Sequence, residues 1–301
     1  MADGIVWPAP LCAGDRVAIV SPASKIDVSL IDSAADALRR EGFVPVVMPH
    51  AGGERGSFSG SADERLADIT DALKDDTVRA LLCSRGGYGA VHLLPELDCL
   101  PENCFDKWLV GFSDITALHA LWGKKGRVSL HGAMAKYIGR GAAEFEYYGV
   151  EMGILRGARP TMRFGGHPYN RSGMARGRIV GGNLAVLGGL IGTPFDPLGA
   201  GGILFMEDIA EPIYKVERIL WQLRLCGLFD RVAGVIVGQF TEYRPSADHE
   251  SMEAMIERFF RDYSFPVAYG VPMGHVENNH PLIMNAEATL SVTSAGVEIV
   301  Y

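Results

Sequence analysis

Cysteine is scarce in this 301-residue chain: Cys12, Cys83, Cys99, Cys104 and Cys226 make an odd count with no CxxC spacing. That supplies neither a disulfide framework nor a zinc site, and it points to ordinary reduced thiols. No apolar run approaches the roughly 18 residues of a membrane span. The opening residues, MADGIVWPAPLCAGDRVAIV, lack the basic start and continuous apolar stretch of a secretory signal. A cytoplasmic protein with no membrane partner is therefore expected. Positive charge is also short, with 28 Lys and Arg against 36 Asp and Glu, and the basic residues are scattered. A net-acidic surface without a basic patch argues against nucleic acid as a partner. There is no internal repeat and no low-complexity tract, which removes solenoid and linker readings.

What is present has the balance of a globular protein, 48% hydrophobic and 21% charged, at a length that suits one large α/β domain or two moderate ones. The apolar segments RVAIV, FVPVV, VRALLC and WLVG alternate with helical patterns over 28–41, closed by Gly42, and over 63–74. Short Val-, Ile- and Leu-rich strands alternating with helices predict an α/β fold with a parallel sheet covered on both faces. The pattern weakens between about 143 and 177, where GARPTMRFGGHPYNRSGMARG reads as loop-rich. The expected division is an N-terminal α/β domain over 1–145, a connector over 146–176 and a C-terminal domain over 177–301. The last part is richer in β-structure and glycine: RIVGG, a helix from Asn183, GGILFMED, an amphipathic helix over 214–226, VAGVIVGQF, TLSVT and VEIVY.

Four segments could carry chemistry. In WLVGFSDITALHAL an apolar strand meets Ser113 and a helical pattern starts at once. A serine on such a turn exposes its hydroxyl beside the free N–H groups of a helix start, which can stabilise an oxyanion. Ser113 or Asp114 could equally be a helix cap, and Ile115 stands where GxSxG has its second glycine. In SRGGYGA, Gly86 and Gly87 follow a strand and could form an anion-binding nest beside Arg85, or only a turn. Glu207 and Asp208 directly follow the apolar strand ILFM, where an α/β protein binds ligands, or they belong to the start of the next helix. Glu217 and Arg218 on that helix read as a solvated pair. His275, after Gly274 in a loop, has the residue type of a general base. His275 and His280, five apart without HExxH, make a poor metal site, so no metal and no cofactor is expected. His92, His119 and His131 read as structural, with His131 a candidate to line the site.

Taken together, GDRVAIVSPAS, RGGYGA, GFSDITALH, HGAM, GGNLAVLGGLIGTP, LFMEDIAEPIYKVERIL and GVPMGH resemble, in order and across nearly the whole chain, the LD-carboxypeptidases, which include muramoyl-tetrapeptide carboxypeptidases and microcin C self-immunity peptidases. The resemblance implies a catalytic triad of Ser113 as nucleophile, Glu207 as orienting acid and His275 as general base. It implies an oxyanion hole from the backbone N–H groups of Asp114 and Gly87, and Arg85, Gly86, Tyr88 and Asn183 are expected to bind substrate. It also implies a flavodoxin- or amidotransferase-like N-terminal domain, a smaller β-rich C-terminal domain and a homodimer. Glu217 departs from the Asp that commonly precedes the arginine in relatives. The implied activity is hydrolysis of an L-D peptide bond, releasing terminal D-Ala from murein tetrapeptide in cell-wall recycling. Two other readings remain: a microcin-like peptidyl-nucleotide amide hydrolase, and a non-catalytic wall-fragment binding module. A Rossmann enzyme is not favoured, because SPASKID after the first strand is not GxGxxG.

Overall fold

The computed structural model describes residues 4–301. Thirteen strands lie among the described residues: β1 (Arg16–Val20), β2 (Val44–Val47), β3 (Val78–Cys83), β4 (Trp108–Gly111), β5 (Ser129–His131), β6 (Met162–Gly165) and β7 (Gly173–Asn183) come first. They are followed by β8 (Gly202–Ile209), β9 (Val232–Thr241), β10 (Val267–Ala268), β11 (Leu282–Met284), β12 (Glu287–Val292) and β13 (Gly296–Val300). The chain divides into two compact units, one of residues up to Ala158 with His280–Asn285, the other of Arg159–Asn279 with Ala286–Tyr301.

The first unit is built on a six-stranded sheet of order β11-β5-β4-β3-β1-β2. All neighbours pair in parallel except β11, which runs antiparallel to β5. Strands β1, β3 and β4 are almost wholly buried, as a sheet covered on both faces demands. The helix Val28–Arg40 is started by Asp27, whose carboxylate accepts the Ser29 N–H at 2.9 Å, and it buries Ile31, Ala34, Ala35 and Leu38 at helical spacing. Gly42, at φ 85°, then turns the chain into β2. The helix Ala62–Lys74 opens on a reciprocal capping box between Ser61 and Glu64. The strand order changes direction between β1 and β3, and the carboxyl ends there form the natural ligand-binding edge.

The second unit carries a seven-stranded sheet of order β10-β9-β8-β7-β12-β13-β6. It is parallel from β7 through β10 and antiparallel from β7 through β6, with the long strand β7 serving both halves. Its core joins Leu204, Met206, Val235 and Val237 of the sheet to Val216, Leu220 and Leu223 of the helix Ile213–Leu225. A cluster of Phe229, Phe259, Phe260, Tyr263 and Phe265 closes one end. The architecture is thus mixed α/β, with a parallel-sheet N-terminal part and a separate β-rich C-terminal part.

The segment 146–176, expected as a loop-rich connector, holds regular structure. Glu146–Leu155 is a helix of the first unit that buries Tyr147, Tyr148, Met152, Ile154 and Leu155, and β6 is an edge strand of the second. Apolar residues spread round that helix hide the one-sided stripe by which a helix is read from sequence. Likewise, β8 extends through Glu207 and Asp208 to Ile209, so the two carboxylates lie within the strand and not after it.

Candidate active site

In the first unit, β4 ends at Gly111 and the chain turns at Ser113 with φ 64°, one of four non-glycine residues in the left-handed region among those described. Such a backbone costs about 1–2 kcal/mol for an L residue with a side chain. Strained residues of this kind cluster at functional sites, and a strand-to-helix junction is where a nucleophilic serine sits in the α/β-hydrolases. The capping positions belong to Phe112 and Ile115, neither of which makes a side-chain cap, so neither Ser113 nor Asp114 is the helix cap. The Asp114 carboxylate instead accepts the Ala90 N–H at 2.8 Å, tying the serine turn to the glycine turn after β3. Burial holds the Asp114 pKa above the usual carboxylate range.

That glycine turn fits closely. A Cβ on Gly86 would lie 2.9 Å from Ser113 Cβ, 3.1 Å from its Oγ and 3.2 Å from the Asp114 nitrogen. The missing side chain therefore leaves open the space bordered by both the hydroxyl and the Asp114 N–H. Gly87, at φ 107°, is pressed against Ser24, whose hydroxyl accepts the Tyr88 N–H at 3.3 Å and whose own N–H donates to the Gly86 carbonyl at 3.2 Å. Arg85 Nη1 donates to the Lys25 carbonyl at 2.9 Å. Tyr88 is 56% exposed and packs on His92, with 3.1 Å between its hydroxyl and Nε2. Sequence reasoning missed Ser24, since SPAS looks like any loop after a strand.

Beneath the serine turn lies a buried polar network. The His119 Nε2–H donates to the Gly111 carbonyl at 2.8 Å, which makes Nδ1 the acceptor of the Ser129 hydroxyl at 2.8 Å. Asn285 donates to the His119 carbonyl at 2.9 Å and to Ser129 Oγ at 3.3 Å. Burial pushes the His119 pKa down to about 4, so the ring is neutral. His131 is buried with its ring centroid 5.3 Å from that of Phe112. Glu151 is fully buried and accepts the Ala133 N–H at 2.6 Å, and burial pushes its pKa up to about 8.

In the second unit, Glu207 is fully buried near the end of β8, at a register shift against β9 that falls between Met206 and Asp208. Bulges re-aim side chains, and Glu207 Oε2 accepts the His275 Nδ1–H at 2.7 Å. A carboxylate only accepts, so the proton sits on Nδ1 and Nε2 keeps its lone pair. Gly238 and Gly274 make room for this pair: a Cβ on Gly274 would meet Glu207 Oε2 at 2.7 Å, and one on Gly238 would meet Glu207 Cβ at 3.2 Å. The histidine loop is fixed to β9 by the Gln239 N–H on the Met273 carbonyl at 2.8 Å, and the Gly274 N–H donates to Asn279 Oδ1 at 2.7 Å. His280 belongs to the other unit, against Tyr147.

Asp208, beside Glu207, does cap a helix, but the preceding one. Its Oδ2 accepts the Ala185 N–H at 2.9 Å, and its Oδ1 accepts the Asn183 side-chain amide at 2.8 Å. Burial and the neighbouring Glu207 charge push its pKa up to about 6. Asn183 is the N-cap of Leu184–Leu190, accepting the Val186 N–H at 3.2 Å. Glu217 and Arg218 do not face each other, as adjacent helical residues cannot. Glu217 reaches His249 at 3.3 Å and Arg218 lies over the Tyr214 ring.

The family model for the N-terminal domain of LD-carboxypeptidases matches residues 17–132, and that for the C-terminal domain matches 176–290. A Streptomyces coelicolor protein that carries a carboxypeptidase name is 35% identical over 91% of this chain and 89% of its own. The murein tetrapeptide carboxypeptidase of Pseudomonas aeruginosa is 29% identical over 88% of this chain and 89% of its own. Among solved structures, the muramoyltetrapeptide carboxypeptidase from Oxalobacter formigenes superposes with a TM-score of 0.85 at 28% identity, over 94% of this chain and 97% of that one. The wild-type microcin C7 self immunity protein shares the fold, with a TM-score of 0.84 at 21% identity over 98% of each chain. With both domain models matched in order and a relative above 30% identity along nearly its full length, the chain belongs to the LD-carboxypeptidase family and is a serine-type carboxypeptidase.

Proposed function

We propose that the chain hydrolyses the L-D peptide bond of murein tetrapeptide and releases terminal D-Ala, with Ser113, His275 and Glu207 as its catalytic triad. In this reading the Nε2 lone pair of His275 takes the Ser113 proton as the hydroxyl oxygen attacks the scissile carbonyl. Glu207 holds the imidazole tautomer and stabilises the imidazolium that forms. The Asp114 and Gly87 N–H groups receive the oxyanion, and His275 then protonates the leaving amine of D-Ala. Water repeats the sequence on the acyl-enzyme.

The observation that carries the reading is the 2.7 Å bond from His275 Nδ1 to a fully buried Glu207, which leaves a histidine lone pair as base, in a chain whose Ser113 is held in a strained turn. The murein substrate is supported by the names of relatives at 28–29% identity, whereas the microcin immunity structures, at 21–22%, share only the fold and make the peptidyl-nucleotide reading less favoured. The proposal places the enzyme in the cytoplasm as a homodimer. No described helix is long and apolar enough to cross a membrane. Tyr214, Trp221 and Leu225, exposed on one face of Ile213–Leu225 opposite its buried Val216, Leu220 and Leu223, support the pairing.

Mass-spectrometric analysis of L-Ala-γ-D-Glu-meso-diaminopimelate-D-Ala incubated with wild type and Ser113→Ala tests the function. D-Ala from the wild type alone is expected, and none from the wild type refutes the substrate.

A further inference from the structure

We propose that Arg85 and Lys136 together bind the free carboxylate of the substrate's terminal residue, with Arg140 adding to their field, and that this pair confines the enzyme to chain ends. The inference rests on the proposed function and adds to it the group that recognises the chain end. Lys136 was not legible in the sequence, where HGAMAKY offers a lysine like any other.

The positions follow from the loops at the carboxyl edge of the first sheet. Arg85 directly precedes Gly86, the residue whose Cβ position lies against Ser113. Across the end of β4, the Lys136 N–H donates to the Ser84 carbonyl at 2.8 Å, so its backbone abuts the start of the Arg85 loop. Arg85 commits one N–H to the Lys25 carbonyl, which orients the guanidinium and leaves the rest of its fork. Lys136 is half-buried, its Nζ 5.3 Å over the Tyr137 ring. Burial first, then the charges of Arg85 and Arg140, hold its pKa below the ordinary lysine value. Among the described residues, none of the three cations has a carboxylate partner.

Like charges gathered without a counter-ion at a partly desolvated place raise the free energy of the empty protein, and a carboxylate relieves it. The distance is also right. In a peptide, the scissile carbonyl carbon and the next carboxyl carbon are separated by one nitrogen and one Cα, roughly 3–4 Å apart, so a terminal carboxylate must sit close to the nucleophile, and Arg85 adjoins Gly86, whose Cβ position lies 2.9 Å from Ser113 Cβ. An internal peptide or a terminal amide placed there leaves both cations unpaired, which penalises it strongly.

The test compares the tetrapeptide free acid with its C-terminal amide, for wild type, Lys136→Met and Arg85→Met. For Lys136→Met, the loss in kcat/KM on the free acid should exceed the loss on the amide by ten-fold or more, mostly through KM. Equal losses on both, or no loss on either, overturn the site. A second arm does not depend on the murein reading: binding of N-acetyl-D-alanine and N-acetyl-D-alaninamide to Ser113→Ala protein, followed by NMR titration. Saturable binding of the acid only, abolished by adding Lys136→Met, supports the site even if the tetrapeptide is not cleaved. Absence of acid-selective binding refutes it even if the tetrapeptide is.

Discussion

Ser113 keeps its φ of 64° at a cost that a glycine would not bear. Ser113→Gly should therefore be inactive yet more stable than Ser113→Ala by about 1 kcal/mol, a rise of a few degrees in melting temperature. Equal melting temperatures for the two variants would show that the turn carries no strain. Gly86 is the complementary case, because its backbone is not in the left-handed region and the nearest atoms to a methyl group there are Ser113 Cβ, Ser113 Oγ and the Asp114 nitrogen. Gly86→Ala should displace Ser113 locally and lower kcat/KM by about 10² or more, since the methyl group also fills the space where the oxyanion is proposed to form. Wild-type kinetics in that variant would remove Gly86 and the Asp114 N–H from the proposed site. At this scale much was legible: serine, glutamate and histidine stand in motifs whose residue types state their chemistry. Asn183 and Asp208 show the limit, because nothing in the pattern of polar residues at a strand end announces that these two cap Leu184–Leu190.

Between elements, the serine turn is held from below by groups no motif announces. His119, Ser129 and Asn285 meet from three separate segments, and Glu151 reaches Ala133 from a helix that the sequence pattern hides. Such partnerships depend on the fold bringing distant residues together, whereas the parallel strands and their helices are declared locally by Val-rich runs, caps and glycine stops. Glu151 has a pKa of about 8 against an ordinary 4.5, so through that window the folded chain keeps a proton that the unfolded chain has lost. Stability contributed by the group is thus present below pH 4.5 and is lost as pH rises towards 8. His119, with its pKa of about 4 against 6.5, acts in the opposite direction and only below pH 6.5. Comparison with Glu151→Gln separates Glu151 from His50 and Asp208, whose raised pKa values act in the same direction, in urea midpoints taken at pH 6.5 and pH 8. The wild type should lose about 2 kcal/mol between them, and Glu151→Gln should lose much less. Parallel losses in both proteins would place the ionisation elsewhere.

For the whole molecule, the proposed homodimer predicts a sedimenting species of twice the chain mass, shifted to the single chain by Trp221→Glu with Leu225→Glu. An unshifted dimer would place the contact on another face. In the proposed function Ser113, carried by the first unit, and His275 with Glu207, carried by the second, work as one catalytic group. Groups that work as a unit are not additive: once one is lost, the others have nothing left to assist. The most direct test is the rate of D-Ala release by Ser113→Ala, His275→Ala and the double variant. Each single variant should fall by about 10⁴ or more, and the double variant should be no slower than the worse single one. Single variants within ten-fold of wild type, or losses that multiply in the double variant, would contradict the triad.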